Sequence, residues 1–217
     1  MTRAANLATE HDLKKAIAAE RSGTVAVLSA LPSRQWDAAT LCEGWRVREV
    51  VAHLTMPLRY PGRKFALEML KSGGRFHQMA DRVARRDAAS MSPAELTAAL
   101  RDNVDHPWAP PGGGLQGALS HDVIHGLDIT VALGVRRQVP EARLTLVLGQ
   151  LTGMRRNPFG THLAGIALRA DDIDWTFGSG TPLSGSAQDL LLVFCGRKLP
   201  PGRLRGEAAP RFTRTNP

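Results

Sequence analysis

Cysteine is scarce: two residues in 217, Cys42 and Cys195, far apart in the chain. That excludes a disulfide framework and a cysteine-based zinc knuckle. Each is expected to be a buried apolar thiol, with a reactive role as the alternative. Tyrosine occurs once and aromatic residues make up 5% of the chain. No stretch interleaves aromatic and basic side chains as a nucleic-acid stacking platform does. No apolar run approaches the length that spans a membrane. The first twenty residues, MTRAANLATEHDLKKAIAAE, are charged throughout and lack the apolar centre of a signal peptide. These absences predict a cytoplasmic chain with no membrane partner. Gly112-Gly113-Gly114 lacks the lysine and strand context of a phosphate loop, and no Gly-x-Ser-x-Gly nucleophile elbow occurs.

What is abundant is positive charge and apolar content. The formal net charge is +8, and 43% of residues are hydrophobic, enough for a buried core. Arginines run in groups at Arg82 to Arg86, Arg136-Arg137 and Arg155-Arg156. Interspersed acids make solvated helix faces the first reading, an anionic-ligand pocket the second and nucleic acid the third.

Helical spacing recurs along most of the chain. Leu13, Ile17, Val25, Leu28 and Leu31 predict a helix near 9–31, ended by Pro32. Val47, Val50, Val51 and Leu54 predict a second from Trp45, with Pro57 expected to kink or stop it and a resumption over 64–71. Further helices are predicted at 75–89, from the Ser92-Pro93-Ala94-Glu95 cap to about 103, at 115–133 with Gly134 as stop, and at 141–153. His106 to Gly114 reads as a loop. Beyond Asn157, HLAGIALRA and DDIDWTFG alternate at period two and predict a β-hairpin. A helix is expected from near Ser184, with Ser184-Gly185-Ser186 as turn and cap, and then an irregular tail. The chain therefore divides into a helical bundle, 1–155, and a small α+β unit, 156–217.

His121 and His125 lie four apart on a predicted helix and share one face. Two imidazoles so placed can converge on one ion, and His53, beside the stripe of the second helix, can supply a third. Three histidines would leave open positions, the catalytic pattern. On spacing alone, satisfied or exposed histidines remain the other reading. Asp128, three residues beyond His125, either orients an imidazole or faces solvent. His11, His77, His106 and His162 lack comparable partners.

Thr40-Leu41-Cys42-Glu43-Gly44-Trp45-Arg46-Val47-Arg48-Glu49 through His53-Leu54 resembles the signature T-x-C-x-G-W-x-V-x-(D/E)-x-x-x-H-L of the mycothiol-dependent maleylpyruvate isomerase family, within the DinB-like metal-binding superfamily. His121 to Ile129 with Ala132-Leu133-Gly134 is similar to its second motif. Leu168 to Asp171 through Trp175, Gly178 and Gly185 to Gly196-Arg197 is similar to its C-terminal domain. The resemblance spans about residues 9 to 200. It implies a mostly α fold: an up-and-down DinB-like four-helix bundle holding the ion between helices, followed by a small α+β unit. It implies His53, His121 and His125 as ligands, with Asp128 and Arg197 as catalytic candidates. The chain departs from the isomerase at His121, where a glutamate is usual. The family's C-terminal arginine, which takes substrate carboxylates, has Arg197 as its nearest counterpart; a helix-end arginine is the other reading.

The expected function is thiol transfer to, or thiol-assisted isomerisation of, a small electrophilic or anionic substrate. Mycothiol would be the cosubstrate, and zinc the metal, with nickel or iron as alternatives. A non-catalytic metal-binding stress or accessory protein is the second expectation and a nucleic-acid-associated protein the third. Monomer and homodimer both remain open.

Overall fold

The computed structural model describes residues 9–154, 157 and 159–215. Residues 1–8 and the Arg155-Arg156 pair lie outside the described residues. Eight α-helices are described: α1 (Glu10–Ala30), α2 (Val47–Arg59), α3 (Gly62–Lys71), α4 (Phe76–Ser90), α5 (Pro93–Arg101), α6 (Gly114–Ala132), α7 (Glu141–Thr152) and α8 (Ala187–Phe194). Four strands are described: β1 (Ile166–Ala170), β2 (Thr176–Gly178), β3 (Thr181–Gly185) and β4 (Leu204–Arg205). None of these helices is long and apolar enough to cross a membrane.

Helix starts follow the local chemistry. Thr9 caps α1 and Ser92 caps α5, each in a reciprocal box with the residue three on, Asp12 and Glu95. Pro93 sits at the first position of α5, as its fixed φ suits. Gly134, at φ +65°, ends α6 where the spacing placed a stop.

α1 lies along α6, α2 packs on α4, α5 and α6, and α5 closes against α1. The bundle core is Leu28, Trp36, Val47, Val50, Val51, Leu54, Leu96, Leu100 and Ile129. A second apolar cluster runs from Leu13 and Ile17 through Leu127 and Leu148 to Leu168 and Leu190. The C-terminal sheet and α8 thus share a core with the bundle.

Two expectations change. Pro57 does not stop α2, which runs on to Arg59. Proline removes the hydrogen bond to the carbonyl four residues back, but the flanking Val51, Leu54 and Leu58 are buried and hold the helix. Second, Ser184 and Gly185 belong to β3, and α8 starts only at Ala187 with Ser186 as its cap. The sheet order is β2-β1-β3-β4, with β1 antiparallel to β2, as the hairpin reading required, and parallel to β3. The chain rounds the start of β1 in the two residues Ser179-Gly180. A Cβ on Gly178 or Gly180 would meet a backbone oxygen at 2.4 Å, and both glycines have positive φ, so the crossover needs them.

Candidate metal centre

The site begins in the loop before α2. Thr40 ties the loop together: its Oγ1 donates to the Trp45 carbonyl (2.9 Å) and accepts from the Cys42 amide (3.2 Å), while the Trp45 amide donates to the Cys42 carbonyl (3.0 Å). Gly44, at φ +76°, allows the turn. The Leu41 amide donates to the Asp128 carbonyl (3.1 Å), which stitches the loop to α6. Trp45 is thereby set with its indole 5.1 Å from the His53 ring and its Nε1 donating to Asp81 (2.7 Å).

His53 projects from α2, and His121 and His125 from successive turns of α6. The structure brings all three together. The ring centroids are 4.9–5.1 Å apart, and one nitrogen of each lies within 4.8 Å of the others. His53 Nε2 and His121 Nε2 are 3.3 Å apart. Two ligands at 2.0–2.1 Å from a tetrahedral zinc stand about 3.3 Å apart, so this pair fits the edge of such a site.

The two α6 histidines are oriented alike. His121 Nδ1 lies 3.0 Å from Asp122 Oδ1, and His125 Nδ1 lies 3.0 Å from Asp128 Oδ2. An ionised carboxylate only accepts, so each Nδ1 carries the proton and each Nε2 offers a lone pair. Both aspartates are in turn held by arginine. Arg21 Nε donates to Asp122 Oδ2 (2.8 Å), and Arg197 donates through Nε (2.9 Å) and Nη2 (2.8 Å) to the two oxygens of Asp128. His53 has no such partner; its Nδ1 is buried without a hydrogen bond. Four charges in two pairs leave the surroundings of the histidines neutral before any ion is counted.

Burial shapes the titration. It pushes His53 well below the ordinary histidine value, with the neighbouring His125 and His121 adding to the shift. It lowers His125 as well, against the hydrogen bond to Asp128. Burial would raise Asp128, yet the bonds from Arg197 and His125 hold it below the usual aspartate value. Neutral imidazoles beside ionised carboxylates are the state that accepts a cation.

Arg197 follows the end of α8 and turns back onto the bundle. Its Nη1 donates to the Cys195 carbonyl (3.0 Å), and Nη2 also lies 3.8 Å from Cys42 Sγ. The guanidinium is thus engaged with Asp128 on one whole edge. Cys42, His125 and Asp128 also gather donor atoms within 4.8 Å, but Arg197 sits on that group and would repel a cation. Burial, and then the charge of Asp128, push the Cys42 thiol up to about 11. Cys195 is buried and is pushed up too.

Residue spacing missed Arg21, which is 1% exposed. Its Nη1 donates to the carbonyls of Asn103 (3.3 Å), Val104 (3.3 Å) and His106 (2.8 Å), fixing the loop that carries Trp108. The Trp108 ring stands 5.1 Å from His121. The missed signal lay in α1: its buried positions are Leu13, Ile17, Glu20, Arg21, Thr24 and Leu28, a helical stripe with charges inside it. On the other side of that stripe Glu20 binds Arg137 (2.6 Å) and Arg143 (3.0 Å).

Fold and site together define a helical bundle with a histidine-lined centre between α2 and α6, closed by a small α+β unit. Residues 17–108 match the family model described as the mycothiol maleylpyruvate isomerase N-terminal domain, the family that the signature around Cys42, Trp45 and His53 resembles. None of the curated proteins matches the chain by sequence. Two solved structures share the fold across 96% of this chain and 97% of theirs. One is the crystal structure of the mycothiol-dependent maleylpyruvate isomerase (TM-score 0.60, 16% identity) and the other a histidine-to-alanine mutant of it (0.61, 15%).

Proposed function

We propose that this protein is a metal-dependent enzyme that uses a low-molecular-weight thiol, in the first instance mycothiol, on a small electrophilic substrate. The observation that carries the reading is the convergence of three imidazoles, two of them with Nδ1 fixed on a carboxylate so that Nε2 faces the centre. Likeness to structures described as a mycothiol-dependent isomerase supports the choice of thiol.

His53, His121 and His125 would hold a divalent ion, zinc before nickel or iron. Such an ion supplies Lewis acidity that favours the thiolate of a thiol at neutral pH. The chain's own groups do the rest. Asp122 and Asp128 orient the imidazoles, Arg21 and Arg197 hold the aspartates, and the indoles of Trp45 and Trp108 flank His53 and His121. The thiol sulfur would add to an electrophilic carbon, giving an S-conjugate. Where that carbon belongs to a conjugated double bond, rotation followed by loss of the same thiol gives isomerisation.

Metal analysis of the purified protein should find about one ion per chain in the wild type and a loss of it in His125→Ala. Protein produced with ample zinc, nickel and iron that still carries none would overturn the reading. Loaded protein is then assayed with mycothiol and a panel of electrophiles. Turnover that disappears in His125→Ala supports the enzyme; bound metal without turnover on any of them would favour a non-catalytic metal protein.

A further inference from the structure

Helix α3 has two apolar faces, and only one of them is covered. On the inner face Phe65 and Met69 pack against Met56, Tyr60, Met79 and Val83. The buried Glu68 accepts there from Arg82 (2.7 Å) and Arg86 (3.0 Å), with Lys71 at 3.5 Å. At 100° per residue, Leu67 and Leu70 fall on the opposite pole, and they are 50% and 76% exposed. Phe76, the first residue of α4, is 46% exposed. The turn between them holds Gly73 and Gly74, where an added Cβ would meet nothing within 4 Å. This corner stands clear of the body.

Its charge is one-sided. Arg63, Lys64, Lys71 and Arg75 are all exposed. Between Glu49 and Asp81 the only acidic residue is Glu68, which is buried. Three large apolar side chains therefore share a protruding corner with four cations and no exposed carboxylate.

We propose that the α3–α4 corner docks this protein on an anionic lipid surface. A second copy is a poorer occupant, because self-pairing about this corner would set its cations against their equivalents. Anionic headgroups match the arginines and lysines, while Leu67, Leu70 and Phe76 enter the headgroup–acyl boundary. Neither signal suffices alone: so few side chains bind marginally without charge, and the charges are screened without insertion. The absence of a spanning run does not bear on such a contact, which needs only one face of a short helix.

The test is co-sedimentation of the full chain with vesicles of phosphatidylcholine alone or mixed with phosphatidylglycerol. Binding to the anionic vesicles should exceed that to the neutral ones by about tenfold and fall with added salt. Leu67→Ser with Leu70→Ser, and separately Arg63→Glu with Arg75→Glu, should each cut binding by about tenfold, with circular dichroism and melting unchanged. No binding to anionic vesicles, or binding that neither pair of substitutions weakens, overturns the proposal. So does a dimer in sedimentation velocity that the leucine substitutions abolish, which would assign the corner to a second copy.

Discussion

A histidine lends its lone pair to a metal only when its other nitrogen keeps the proton, and this centre meets that condition twice by the same means. Asp122 and Asp128 each accept from an Nδ1 and each lean on a buried or half-buried arginine. The spacing of His121 and His125 was readable on one helix, since four residues make one face. His53 was a candidate from its place beside the α2 stripe, and its motif gave that reading its weight, because nothing local joins position 53 to 121. Asp122 and Arg21 were not assigned a role: the meeting of Arg21 and Asp122 is set by the packing of α1 on α6, 101 residues apart. Asp122→Asn tests this layer. The substitution keeps an oxygen for His121 but removes the charge that pairs with Arg21. Zinc affinity, measured against a chromogenic chelator, should fall by about 10–100-fold with the fold intact by circular dichroism. Unchanged affinity in a folded variant would mean that Asp122 does not orient His121.

Helices were easier to read than strands. The apolar stripes of α1 and α2, the long apolar run of α6 and the cap of α5 are local, so their positions followed from the residues. β3 is Thr-Pro-Leu-Ser-Gly, with no alternation and a proline, and it is a strand only because β1 lies beside it, from Ile166 against Thr181 to Ala170 against Gly185. The α3–α4 joint shows an element held by charge. Bonds from Arg82, outweighing burial, bring Glu68 from 4.5 to about 2, and Arg86 and Lys71 help. A carboxyl lowered on folding stabilises the native state above its unfolded value and loses that contribution as pH falls through its folded value. The contribution of Glu68 is therefore complete above about 4.5 and fades toward about 2. Denaturant melts across this window should show Glu68→Gln less stable than wild type at neutral pH, with the gap closing toward pH 2. A gap that stays constant with pH would show that the charge on Glu68 does not secure the joint.

At the scale of the whole molecule, the histidine centre depends on the C-terminal stretch of the chain. Arg197 reaches back from beyond α8 to Asp128, and Arg214 donates to the Thr40 carbonyl (2.7 Å). A division near residue 155 remains our proposal for the chain's organisation, and the shared apolar cluster means that the two parts would fold against one core. Asp128 is fully buried, so removing Arg197 leaves a carboxylate with only His125 to answer it. Breaking a buried pair in this way costs about 3–5 kcal/mol, and in a chain of this size each kcal/mol moves the melting point by about 2–4 °C. Arg197→Ala should therefore melt about 6–20 °C lower. That alone does not separate a structural clamp from a positioning one. The double variant Asp128→Asn with Arg197→Met removes both charges, and most of the lost stability should return, because no uncompensated charge is left inside. Zinc affinity should not return, because the amide accepts more weakly than the carboxylate from His125 Nδ1. If the double variant binds zinc as tightly as the wild type, the pair holds the two parts of the chain together and does nothing for the centre.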